Sequence, residues 1–127
     1  MAKTFRQKIG QWGEDLALKY LLDLGYECLQ RNYHCLYGEI DLIMLKDNVY
    51  YFVEVKTRRN DHFGLAEYSI TKRKLNALLN SAEHFLSELK LLEAEWQVDL
   101  IVIEKFDPNK EAEIIHFEHI GIDDDED

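Results

Sequence analysis

Proline and cysteine are almost absent from this sequence, and it contains no long apolar run. One proline in 127 residues leaves little room for a linker, and the length suits a single domain that buries its own core. No segment approaches the ~18 consecutive apolar residues needed to span a bilayer. The opening stretch, Met1 to Lys8, lacks the apolar segment of a secretory leader. The expectation is therefore a cytoplasmic protein with no membrane partner. Cys28 and Cys35 stand seven apart in a strand-like stretch, so an unbroken strand points them to opposite faces and disfavours a disulfide. Zinc held by Cys28, His34 and Cys35 matches no common ligand spacing. Also missing are the G-x-x-x-x-G-K-[ST] phosphate loop, the G-x-S-x-G nucleophile elbow, and any helix-turn-helix or zinc-finger pattern. His116 and His119, three apart on a predicted strand, fall on opposite faces and make poor co-ligands.

Positive charge is scarce only in one part of the chain. Residues 1–90 balance to +1 and residues 91–127 to −11, which together give the net −10. The acidity culminates in Asp123-Asp124-Asp125-Glu126-Asp127, so residues 121–127 read as a disordered acidic tail after a single domain over 1–120. Within the domain, Phe5 to Leu24 reads as an amphipathic helix that stops at Gly25. Glu14 projects inside its apolar arc, where a carboxylate needs a partner, a metal or a cleft. Tyr26–Cys35, Glu39–Leu45 and Val49–Lys56 read as strands, the last two joined by a tight turn at Asp47-Asn48. A polar, basic loop from about Thr57 to Ser69 leads to a second helix over 70–92, with Leu75, Leu78, Leu79, Ala82, Phe85, Leu86 and Leu89 as its core stripe. Val98–Glu104 is a buried strand and Ala112–His119 a final edge strand. The order α-β-β-β-α-β-β describes an α/β fold, a mixed sheet flanked by helices.

The hairpin carries the chemistry. With Asp47-Asn48 as a two-residue loop, paired residue numbers sum to 95, which sets Asp41 across from Glu54 and Glu39 across from Lys56. Strict alternation then gathers Glu39, Asp41, Glu54 and Lys56 on one face; the other turn register offsets these pairs by one. Two opposed carboxylates amid Ile40, Leu42, Ile43, Val53 and Val55 repel one another, and a divalent cation would remove that repulsion. Magnesium takes one or two carboxylates and completes its shell with water and phosphate oxygens. Asp41 and Glu54 would supply the carboxylates and the Val55 carbonyl a third oxygen, with Mg²⁺ or Mn²⁺ as the cofactor. Lys56 would orient an activated water or offset charge on phosphate, and Glu14 would act as an outer ligand or water-positioner. The plainer reading is a set of cross-strand ion pairs on a solvated face, each contributing roughly 0.2–1 kcal/mol.

Gly38-Glu39-Ile40-Asp41-Leu42-Ile43 followed by Phe52-Val53-Glu54-Val55-Lys56-Thr57-Arg58 resembles the YraN-type family of uncharacterised bacterial proteins. So do Gly13-Glu14-x-x-Ala17, Gly25-Tyr26, Arg31-Asn32, Phe63-Gly64, Ile70-Thr71-Lys72-Arg73-Lys74 and Val98-Asp99, over roughly residues 7 to 120. That family in turn resembles the restriction-endonuclease-like nucleases with the PD-(D/E)xK motif, including archaeal Holliday junction resolvases. The resemblance implies a restriction-endonuclease-like fold, metal ligands Asp41 and Glu54, catalytic Lys56 and Glu14 as the helical acid. Lys74 matches a recurrent lysine of the second helix, whereas Gln97 stands where an arginine is usual.

A nucleic-acid partner, DNA above all, needs positive charge beside such a centre. Arg58 and Arg59 open the loop, and Lys72, Arg73 and Lys74 begin the second helix, where backbone amides also favour phosphate. His62 and Phe63 could stack on an unpaired base. Three readings follow: a metal-dependent endonuclease for branched or damaged DNA, a binding module that keeps the fold without turnover, and a non-catalytic interaction protein. A homodimer is compatible with all three.

Overall fold

Two helices and five strands appear in the expected order in the computed structural model, which describes residues 2–59, 70–105 and 107–121. Helix α1 (Phe5–Asp23) begins at Thr4, whose hydroxyl accepts the Gln7 N–H while the Gln7 side chain accepts the Thr4 N–H, a reciprocal cap. It ends where Gly25 takes a φ of +96°, a left-handed turn that glycine adopts without steric cost. Strands β1 (Glu27–Cys35), β2 (Gly38–Lys46) and β3 (Val49–Arg58) follow, then helix α2 (Lys72–Glu88) and strands β4 (Glu95–Glu104) and β5 (Glu113–Phe117). Asp47 and Asn48 have φ values of 51° and 67°, the twist-matched two-residue turn, and pair Lys46 with Val49 in the expected register.

The sheet runs β1-β2-β3-β4-β5, antiparallel except for the parallel β3–β4 pair that α2 bridges. Helix α1 covers one face, with Ala17 and Leu21 packed in a cluster with Leu42, Met44, Val53, Ile101 and Ile103. Helix α2 covers the other, with Leu78, Ala82, Phe85 and Leu86 against Tyr33, Ile40, Ile43, Phe52 and Val98. Burial on both faces explains why β3 and β4 read as nearly continuous apolar runs. Cys28 packs against the α1-side cluster and Cys35 against the α2-side one, and both thiols are free. No helix among the described residues is long and apolar enough to cross a membrane.

Several boundaries shift for identifiable reasons. Strand β4 starts at Glu95, not Val98, because Glu95, Trp96 and Gln97 pair with Val49, Tyr50 and Tyr51. Strand β3 runs on through Thr57 and Arg58, which the sequence assigns to a loop; Arg58 lies opposite Glu104 and the two form a buried ion pair at 3.0 Å. Helix α2 begins after Thr71, whose hydroxyl accepts the Lys74 N–H, and Leu89, expected in its core stripe, is 53 % exposed. Strand β5 ends at Phe117, and His119, expected within it, turns to a φ of +53°. His62, Phe63 and the acidic tail beyond Gly121 lie outside the described residues.

One contact sets how closely α1 approaches the sheet. A Cβ added at Gly13 would fall inside contact distance of the Thr57 hydroxyl and crowd the rest of that side chain. The crowding atoms sit close to the Thr57 backbone and cannot swing far. Gly13→Ala should therefore lower stability by about 1–3 kcal/mol, as overpacking usually does. Thr57→Ala in the same chain should recover most of that loss in thermal melts, and independent, additive effects would show that the helix does not rest on this contact.

Candidate functional site

The antiparallel pairing of β2 with β3 ends at Leu42 and Val53. Beyond it the Asp41 carboxylate takes over, its Oδ2 accepting the Val55 N–H at 2.8 Å. A strand amide left without a carbonyl partner is thus satisfied by a side chain, as a part-buried N–H must be. The local cause is a slip in alternation. Ile40 and Ile43 face the α2-side cluster, whereas Leu42 and Met44 face the α1-side cluster, so Asp41 sits where the two-residue period breaks. This corrects the expectation that Glu39, Asp41, Glu54 and Lys56 share a face. Glu54 and Lys56 continue the α2-side row of Phe52, exposed Glu39 alternates away from Ile40, and Asp41 reaches the β3 backbone within the sheet.

Two carboxylates, Asp41 and Glu14, line one cavity at this parting, and a third, Glu54, adds its charge from the α2 side. Glu54 is 6 % exposed, and Glu14, from α1, shares a cavity of about 570 Å³ with Asp41, Val55, Thr57 and Arg59. Burial, followed by the charge of Glu54 and then that of Glu14, pushes the Asp41 carboxyl up to about 7, against the pull of the Val55 N–H and of Lys74. Two cations partly offset this charge. Lys74 donates to Glu54 at 2.9 Å, and Arg31 reaches Glu14 at 3.3 Å and Asp15 at 2.8 Å. The Lys74 ammonium is held above its ordinary range, first by the hydrogen bond to Glu54 against some burial, then by the charges of Glu54, Asp41 and Glu39.

The named residues therefore divide. Asp41, Glu14 and the Val55 backbone share a cavity, whereas Glu54 acts on Asp41 from the α2-side row, with half-buried Lys56 two residues further along it. Lys72, Arg73 and Arg59 are exposed. Arg58 is 5 % exposed and paired with Glu104, and it also lines the cavity of Asp41 and Glu14. Among the described residues no three His, Cys, Asp or Glu side chains are arranged to cage a metal. Two carboxylates and a carbonyl oxygen still suit an ion such as magnesium, which keeps several waters.

Sequence reading missed Arg31 as the partner of Glu14, since nothing in spacing brings residue 31 to residue 14. It also missed a buried network on the α1 side. Asp99, wholly buried, accepts from the His119 N–H and the Gln97 amide, both at 2.9 Å, and lies 2.7 Å from His116 Nε2. His116 Nδ1 is 3.0 Å from the Tyr20 hydroxyl, so one tautomer, protonated at Nε2, satisfies both contacts. An acid in the apolar run Val98-Asp99-Leu100 was the available signal that such partners exist. Burial raises the Asp99 carboxyl, but hydrogen bonds from His116, His119 and Gln97 outweigh it and leave the group below its ordinary value.

The two aspartates should respond oppositely to pH. Folded Asp41 keeps its proton to about pH 7 whereas the unfolded chain releases it near 3.8, so its contribution falls as pH rises through that window. In metal-free buffer Asp41→Asn, which can still accept the Val55 N–H, should melt higher than the parent above pH 7, with the gain gone by pH 4. A lower melting point at pH 8 would mean that repulsion at Asp41 is not felt. Asp99 contributes above the ordinary carboxylate range and loses that contribution as pH falls through its depressed value. Asp99→Asn should cost about 1–3 kcal/mol at pH 7, and the difference should narrow in acid; a constant difference down to pH 2 would contradict the assignment.

The family model described as "Uncharacterised protein family UPF0102" matches residues 13–103. A UPF0102 protein of Neisseria meningitidis is 45 % identical over 97 residues, covering 76 % of this chain and 84 % of the relative. A Syntrophomonas wolfei UPF0102 protein is 42 % identical over 97 residues with the same coverage. A UPF0102 protein of a Sulfurihydrogenibium species is 39 % identical over 110 residues, 87 % of this chain and 90 % of the relative.

Proposed function

The chain belongs to the uncharacterised protein family UPF0102, and we propose that it is a metal-dependent endonuclease acting on DNA, with branched or damaged strands as substrates. The observation that carries this reading is the loaded acid at the strand parting. Asp41 is held by the Val55 N–H beside Glu54 and Glu14, and its carboxyl is pushed up to about 7. Such a group is poised to exchange its proton for a cation. Asp41 and Glu54 would hold Mg²⁺ or Mn²⁺ together with the Val55 carbonyl, and the bound ion would supply a nucleophilic water and offset charge on the phosphate. Lys56, on the row of Glu54, would stabilise charge gathering on the phosphate oxygens. Glu14, from the far wall of the cavity, would position the attacking water. Lys72 and Arg73, exposed on the first turn of α2, would hold the flanking backbone, with Lys74 between them and the acidic centre.

The ion pairs Lys74–Glu54 and Arg31–Glu14 support a second reading, a nucleic-acid-binding module whose acids serve the fold. Cleavage assays on branched and single-stranded DNA separate the two. On the first reading cleavage requires Mg²⁺ or Mn²⁺, and Asp41→Asn and Lys56→Ala each slow it by about 10²-fold or more, as loss of one transition-state contact does. Salt-sensitive binding with no cleavage in either metal would establish the second. Neither binding nor any rise in melting temperature with metal would overturn both.

A further inference from the structure

The first turns of α1 carry Phe5, Ile9 and Trp12 at the spacing of a core stripe. Yet the residues this helix buries are Gly13, Ala17 and Leu21, and Phe5 is 70 % exposed. Trp12 is half-buried against the α1-side cluster, and with Phe5 and Ile9 it also lines a cavity of about 480 Å³, whose other lining comes from Lys8, Arg59, Lys105 and Pro108. The Arg59 guanidinium lies over the Phe5 ring, 5.4 Å from its centroid. Arg59 follows the end of β3 and Lys105 the end of β4, tied there by the Lys105 N–H to the Arg58 carbonyl at 3.0 Å. Among the described residues, every charged side chain lining this space is a cation, in a chain whose net charge is −10. Aromatic side chains and three cations lining one space fit a flat neutral ring joined to an anion: a base against Phe5 and Trp12, a phosphate against Lys8, Arg59 and Lys105. Phe5, Ile9 and Arg59 also line the adjoining cavity that contains Asp41, Glu14 and Val55, so the two spaces share a wall.

We infer that this cavity is a subsite for one unpaired nucleotide, the neighbour of the phosphate that meets Asp41 and Glu54; the inference rests on the nuclease reading for that second phosphate. A base inside a duplex is stacked on both faces and paired along one edge, and offers no free face to Phe5 or Trp12. The subsite therefore selects strands with a free or extruded base, which single strands, flaps and lesions supply at the lowest cost.

Binding without turnover tests this apart from catalysis. The probes are a ten-residue oligothymidylate, a blunt hairpin duplex of equal phosphate content, and free thymidine monophosphate, all in calcium buffer. Titrations follow Trp12 fluorescence in Trp96→Phe protein, and anisotropy of the labelled oligonucleotide with the otherwise unaltered chain guards against a folding defect in that background. The oligonucleotide should quench Trp12 and bind at least fivefold more tightly than the duplex. Phe5→Ala and Lys105→Ala should each weaken it about tenfold while circular dichroism and melting temperature hold. Equal affinity for duplex or unchanged affinity in both variants would overturn the subsite, and monophosphate binding as tight as the oligonucleotide would overturn its assignment to a strand in favour of a free nucleotide. Cleavage that is indifferent to Phe5 and Lys105 would remove the subsite and leave the nuclease reading standing. Oligonucleotide binding that needs both residues, with no cleavage in magnesium, would keep the subsite and remove the nuclease.

Discussion

The hydrogen bond from the Val55 N–H to Asp41 is the constraint on which the rest of the site depends. Two strands cannot separate inside a protein without orphaning backbone groups, and an orphaned amide costs about as much as a lost hydrogen bond. Here a carboxylate closes the ladder. The side chain that does so is thereby fixed beside Glu54 and within reach of Glu14's field, although all three would repel one another less if apart. Backbone satisfaction and charge repulsion are thus opposed at one residue. Lys74 and Arg31 relieve the opposition without abolishing it, since Asp41 remains well above an ordinary carboxylate.

Asp99 shows the alternative arrangement on a strand two places away. It too is a buried acid in an apolar run, but a ring nitrogen, a backbone amide and a side-chain amide surround it. Its charge is discharged internally, and the Tyr20–His116 contact ties the network to α1. Residue type and burial alone do not separate such a structural acid from one available for chemistry. The distinction lies in whether the neighbours are donors or further acids.

The same logic applies to the cations. Arg58 and Arg59 are adjacent in the chain, yet one closes the end of the β3–β4 pair against Glu104 while the other lies over Phe5 at the cavity mouth. Strand alternation sends consecutive side chains to different surroundings, so a basic dipeptide need not act as a unit. The acidic balance of residues 91–127 likewise does not describe the surface around α1, where Lys8, Arg59 and Lys105 line a space with no acid among the described residues. Net charge describes the whole chain, whereas recognition depends on the local sign.

What the sequence determined by itself is what local rules govern. Hydrophobic period, the Asp47-Asn48 turn and the Gly25 stop specify the order of elements and the hairpin register, because each depends on residues a few positions apart. That register brings Asp41 and Glu54 to neighbouring positions on adjacent strands, but the common face expected for them does not survive the slip at Asp41. The tertiary structure alone decided the slip at Asp41, the inward turn of Arg58, the partners of Glu14 and Asp99, and the cationic cavity beside α1. Each of these joins residues far apart in the chain, whose meeting is set by how helices and strands pack. No spacing rule reaches across that distance, because packing, not periodicity, chooses which side chains share a space.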